Sequence, residues 1–189
     1  MSEETADKTF KGTARETADR TVRRGPVFAQ PPGHHLAQLN LATAVADLGD
    51  PVMAGFTDAL AGVNAIAEKS DGFIWRLTDP VADAAAKALL ADPRETYTLS
   101  LWRDAAALEF FVWNTVHRRF MKNRHSWFRP PPAPFLVMWW LPAGTVPDFA
   151  NALARLTALR RDGPSEAGFG WNNLAGDRAW QATGAPPPV

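Results

Sequence analysis

His117 is the side chain best suited to move a proton at neutral pH, since imidazole titrates at about pH 6.5. On a helix, Phe110, Trp113, Asn114, Met121 and Arg124 share its stripe, being three, four or seven residues away. Two roles stand open for it: a core-edge histidine bonded to a backbone carbonyl, or a general base or iron ligand. Asn64 falls on the apolar stripe of an earlier helix and Asn40 on the first strand. An amide there must be paired, either across a helix–sheet contact or to a substrate carbonyl or developing oxyanion. Arg76 interrupts an apolar strand, as an edge residue reaching for water or as an anion clamp. Trp75, Trp102, Trp113, Trp139 and Trp140 supply either packing area or an aromatic wall for a flat ligand.

Composition narrows these choices. The 189 residues carry 20 basic and 20 acidic side chains, eight tryptophans, one tyrosine and no cysteine. Thiolate nucleophiles, disulfides and cysteine-based metal centres are therefore excluded. Zero net charge argues against nucleic acid as a partner. It conceals a segment from Phe110 to Pro147 with no acid but with Arg118, Arg119, Lys122, Arg124 and Arg129. That segment is either a solvated helix end or a match for an anionic ligand. His34 and His35 are adjacent on a strand and point to opposite sides, so they do not chelate one ion, and no metal site is expected. No phosphate-binding glycine loop, HExxH or GxSxG is present. No apolar run approaches a membrane span, and no secretory signal follows Met1, so the expected location is the cytoplasm.

The elements that must position these residues follow from periodicity. Leu36 to Leu41 alternates as a strand. Asp50-Pro51 opens a helix with Met53, Phe56, Leu60, Val63 and Ala67 on one stripe. Phe73 to Leu77 reads as a strand with Phe73, Trp75 and Leu77 on one face and Ile74 and Arg76 on the other. Residues 79–93 read as a connection with at most one helical turn. Glu95 to Trp102 is a strand, and Asp104 caps a long helix to about residue 124. Phe135 to Leu141 is a strand apolar on both faces, and Thr145 to Arg161 a final helix. The order β-α-β-β-α-β plus a helix predicts an α+β, ferredoxin-like sheet. Its faces are too apolar for one to meet water, which predicts a second copy packed on it as a homodimer. The domain is expected over residues 34–165, with a flexible N-terminal tail at 1–33 and a C-terminal extension at 166–189. Phe169, Trp171 and Trp180 suggest that the extension docks on something.

Several segments together carry a resemblance: Leu36-Ala37-Gln38-Leu39-Asn40, Asp50-Pro51-Val52-Met53-Ala54-Gly55-Phe56, Val63-Asn64, Gly72-Phe73-Ile74-Trp75-Arg76-Leu77, Leu99-Ser100-Leu101-Trp102, His117-Arg118-Arg119-Phe120, Trp127-Phe128, Met138-Trp139-Trp140 and Pro142-Ala143-Gly144. Over about residues 36–165 the chain resembles a bacterial domain family of unassigned function in the dimeric α/β-barrel superfamily, which includes the antibiotic biosynthesis monooxygenases. The resemblance implies a small dimeric tailoring enzyme of secondary metabolism, a cofactor-free monooxygenase or cyclase. Its ligand would be an aromatic or polyketide-type, hydrophobic small molecule. His117 would be the general base, with Asn64 and Arg76 beside it. Asn40, Trp75, Trp102, Trp113, Asn114, Met121 and Arg124 would bind substrate. A haem protein with His117 as axial ligand and a non-catalytic small-molecule-binding module are the alternatives.

Overall fold

Four helical segments among the described residues start from an aspartate. Asp50, Asp79, Asp104 and Asp148 each accept a hydrogen bond from a backbone N–H two or three residues on, at 2.8–2.9 Å. Such caps contribute about 1 kcal/mol each. In the computed structural model the described residues are 25–115, 123–131 and 134–174. His117 and Met121 therefore lie outside them, as does most of the predicted N-terminal tail.

The strands are β1 (His34–Thr43), β2 (Phe73–Arg76), β3 (Glu95–Trp102) and β4 (Leu136–Pro142). The helices are α1 (Ala54–Lys69), α2 (Pro80–Ala88), α3 (Ala105–Asn114) and α4 (Phe149–Asp162). The sheet order is β2-β3-β1-β4 and every pairing is antiparallel. This is an α+β protein whose split βαβ order is compatible with a ferredoxin-like fold. None of the helices among the described residues is long and apolar enough to cross a membrane.

The sheet has two covered faces, and the cover comes from the chain itself. Leu36, Trp102, Leu136 and Met138 lie in one buried cluster with Ala67 of α1 and with Leu108, Phe111 and Val112 of α3. Ala37, Leu39, Leu99, Leu101, Val137 and Trp139 lie in the other, with Ala86 of α2 and with Phe149, Ala152, Leu156 and Leu159 of α4. On the face that sequence analysis assigned to a second copy, residues of α2 and α4 pack against the sheet.

Three local expectations change. First, residues 80–88 form a full helix. Asp79 caps it and Pro80 sits in its first turn, but only Ala86 is buried, so no apolar stripe advertised it. Second, the register of β2 shifts between Phe73 and Trp75. The bulge places Phe73 against Trp102 on the α1/α3 face, while Trp75 packs with the other cluster. Third, the described part of the C-terminal extension, residues 166–174, contributes Phe169, Trp171 and Leu174 to the core, and Trp180 lies outside the described residues. Phe169 exchanges backbone hydrogen bonds with Met138 at 2.8 and 2.9 Å, and its ring stacks on Phe28 at 5.2 Å. Asn173 Nδ2 donates to the Pro26 carbonyl at 2.9 Å, tying this segment to the residues that precede β1.

Tyr97, the sole tyrosine, joins α2 to the sheet. Its hydroxyl donates to Asp83 Oδ1 at 2.6 Å, Asp83 pairs with Lys87 at 2.7 Å, and the ring lies 4.5 Å from Phe149. Burial, reinforced by the adjacent carboxylate, pushes the phenol well above its usual value. The stability linked to a raised group is intact below the unfolded phenol value of about 10 and is lost as pH rises through the folded one. Tyrosinate absorbance is thus expected to appear only together with alkaline unfolding. A reversible titration centred near pH ~10 in still-folded protein would contradict this clamp.

Candidate functional site

The α1/α3 face of the sheet changes character along the strands. In the first row Phe73, Trp102, Leu36 and Trp140 lie side by side. The next row reads Arg76, Ser100, Gln38, Met138, and the one after it Thr98, Asn40, Leu136. Apolar packing gives way to polar groups toward the end where β1 meets α1.

Two of those polar groups are locked. Ser100 Oγ accepts from Gln38 Nε2 at 2.8 Å and from Trp102 Nε1 at 2.9 Å, and Gln38 also reaches Thr98 Oγ1 at 3.4 Å. With both lone pairs engaged, Ser100 is a structural acceptor and not a nucleophile. Gln38 and Ser100 are buried at 7% and 6% exposure, which makes this network a rigid floor.

The floor is incompletely roofed. Of the stripe, Met53 and Ala67 are buried, Val63 is half-buried against the core cluster, as is Ile66 beside it, and Phe56, Leu60 and Asn64 are half-buried. Thr98 shares the helix-side face with Gln38 and is exposed, because β2 ends opposite Ser100 and leaves β3 without a neighbour strand on that side. α1 therefore packs on the core from Val63 to Ala67, while Phe56 and Leu60 in its earlier turns stay only half-buried. Beyond the end of β1, Phe56 meets Phe128 edge-on at 4.9 Å and Trp127 at 6.2 Å. A Cβ on Gly55 would come within 3.1 Å of Trp127 Cζ2, so glycine lets this aromatic corner close. Trp102 leans back over Ser100 and stacks on Phe111 at 5.3 Å, so α3 runs back along the sheet toward the same open end. Trp113 in its last turn has a buried indole N–H with no partner among the described residues.

Charge enters from two sides. Arg76 Nε donates to Glu68 Oε1 at 2.7 Å, the two side chains being 30% and 44% exposed. Asn64 stands one turn before Glu68 on the same side of α1. Arg124 lies over the Phe135 ring at 5.9 Å, on the β4 side of the opening.

The structure thus brings Asn40, Asn64, Arg76 and Trp102 to one face, with Trp113 and Arg124 around it. Trp75 does not join them: the β2 bulge turns it to the opposite face, against Leu99 and Leu101. Asn114 is exposed to solvent. His34 and His35 each bond a backbone carbonyl through Nδ1, and no metal-holding group occurs among the described residues. Sequence reasoning passed over Gln38, Ser100, Thr98 and Glu68, polar residues in places where a solvent-facing role was the simpler assignment. It also passed over Glu109, buried at 7% on α3 and engaged in the interior. A lone acid inside Leu108-Glu109-Phe110-Phe111-Val112 was the available signal.

Together these features define a small α+β domain whose helix-side sheet face carries a fixed polar network. The chain belongs to the family described as Domain of unknown function (DUF3291), whose model matches residues 35–184. The match runs through the packed C-terminal segment, so that segment belongs to the family domain. No curated protein matches the chain. It is similar to the NE2512 protein of unknown function from Nitrosomonas europaea, at 18% identity and a TM-score of 0.41, over 61% of this chain and 96% of that one. It is also similar to PA3566 from Pseudomonas aeruginosa, at 19% identity and a TM-score of 0.40, over 59% and 96%.

Proposed function

We propose that a cleft between the early turns of α1 and the polar end of the sheet binds a flat, mostly apolar small molecule of aromatic or polyketide type and that the protein tailors it. The observation carrying this is the half-buried pair Phe56 and Leu60 in the early turns of α1, on the sheet face that carries a fixed polar floor. Apolar groups line one wall and Asn40, Asn64 and Thr98 supply directional hydrogen bonds, the usual makeup of a small-molecule site. In this reading His117 takes a proton from an acidic hydroxyl or ring carbon of the ligand. The amides of Asn64 and Asn40 then hold the resulting oxyanion while the anion meets oxygen or cyclises. The oxygenase-like chemistry comes from the resemblance of the sequence motifs to the dimeric α/β-barrel superfamily.

The test is aerobic incubation with a panel of polycyclic phenols, followed by mass and oxygen-uptake measurements. Wild-type protein is expected to convert at least one class. His117→Ala is expected to bind it within a few-fold and to lose about 10²–10⁴-fold in turnover. Unchanged turnover in His117→Ala, or a wild type that leaves every compound intact and unbound, overturns the reading.

A further inference from the structure

The cleft has an anion end. We infer that Arg76 is its anion-binding residue and that the ligand carries a carboxylate directed toward β2; this rests on the cleft being a small-molecule site. Three observations converge. Arg76 stands directly across from Ser100, on the helix-covered face that carries the floor. Among the described residues its only hydrogen bond is through Nε to Glu68, so both terminal amino groups of the guanidinium fork remain to be matched. A fork of that shape fits a carboxylate with two parallel bonds.

The Glu68 contact is weak by the ordinary standard of half-exposed ion pairs, and α1 holds Glu68 at the rim and not over the floor. An incoming carboxylate that brings an apolar ring against Leu60 excludes water from Arg76 and outcompetes it. Other described acids do not answer this arginine: Asp71 is bonded to Arg103 at 2.8 and 3.0 Å, and Asp92 to Arg94. On the far flank Arg124 lies over Phe135 without a carboxylate partner among the described residues. The outermost strands are about 14 Å apart at the usual inter-strand spacing, which suits two or three fused rings between the two arginines.

The experiment is calorimetric titration with 2-naphthoate and its neutral isostere 2-naphthamide. Wild-type protein is expected to bind naphthoate at least tenfold more tightly. Arg76→Gln is expected to erase that preference while leaving naphthamide affinity unchanged. Glu68→Gln is expected to raise naphthoate affinity several-fold, because the competing carboxylate is gone. Both variants should melt like the wild type, since the pair is exposed. Equal affinities in the wild type, or a preference that survives Arg76→Gln, overturns the anion end alone. If neither probe binds, the cleft reading falls with it.

Discussion

Truncation after Pro164 is expected to abolish the cooperative thermal transition. The segment removed contains Phe169, Trp171 and Leu174, exposed by 0%, 5% and 6%. Loss of a buried aromatic ring to alanine costs about 3–5 kcal/mol. Two such rings and a leucine therefore approach the entire ~5–15 kcal/mol by which a domain is stable. The truncation also uncovers Met138 and Trp140, strips the hydrogen bonds along β4 and releases Phe28, whose N–H donates to the Asn173 carbonyl at 2.7 Å. Arg155 of α4 donates to the Ala167 carbonyl, so the loss reaches the other face as well. Near-ultraviolet circular dichroism during heating checks this. A transition within a few degrees of the full chain would show that the segment is only a surface attachment.

Gly72→Ala is expected to destabilise the protein by about 2–5 kcal/mol through two independent effects. Gly72 has φ of +80°, which costs an L-residue about 1–2 kcal/mol. Its Cβ would also stand 2.5 Å from Ala107 Cβ on α3, a clash of backbone-borne atoms that side-chain rotation does not relieve. Either β2 or α3 must move, at a further ~1–3 kcal/mol typical of overpacking. Gly72 accepts from Arg103 N–H at 2.7 Å and immediately precedes the strand that carries Arg76. The variant is therefore expected to lose affinity for an anionic probe as well as melting temperature. Urea unfolding measures the first effect. A shift below ~0.5 kcal/mol, the scale of an ordinary surface substitution, would contradict the close packing of β2 on α3.

Much of this architecture could be read from the chain. Aspartates at 50, 104 and 148 mark helix starts through a local, sequence-visible interaction. Alternation located all four strands, because a strand half-buried on each face must alternate or be apolar throughout. Alternation failed at Phe73-Ile74-Trp75, where the inserted residue resets which face each side chain meets, and a bulge has no compositional mark here. The helix at Pro80–Ala88 escaped because alanine propensity, not an apolar stripe, sustains it. The doubly apolar β4 correctly demanded cover on both faces, but pattern alone does not say which part of which chain provides it. The candidate site followed the same division. Asn40 and Asn64 were visible as amides out of place on apolar stripes. Gln38 and Ser100 were not, since their burial depends on the pairing of β1 with β3 and on Trp102 leaning across it. Glu68 looked like an ordinary acid near a helix end until β2 placed Arg76 opposite it.

The central claim is that α1 leaves a ligand cleft over the polar end of the sheet. A crystal structure of the protein soaked with 2-naphthoate tests it most directly. The account predicts the naphthyl rings against Leu60, above Asn40 and Thr98, with the carboxylate at Arg76. A structure in which Leu60 closes down onto Asn40 and Thr98, with no probe between them, would contradict it.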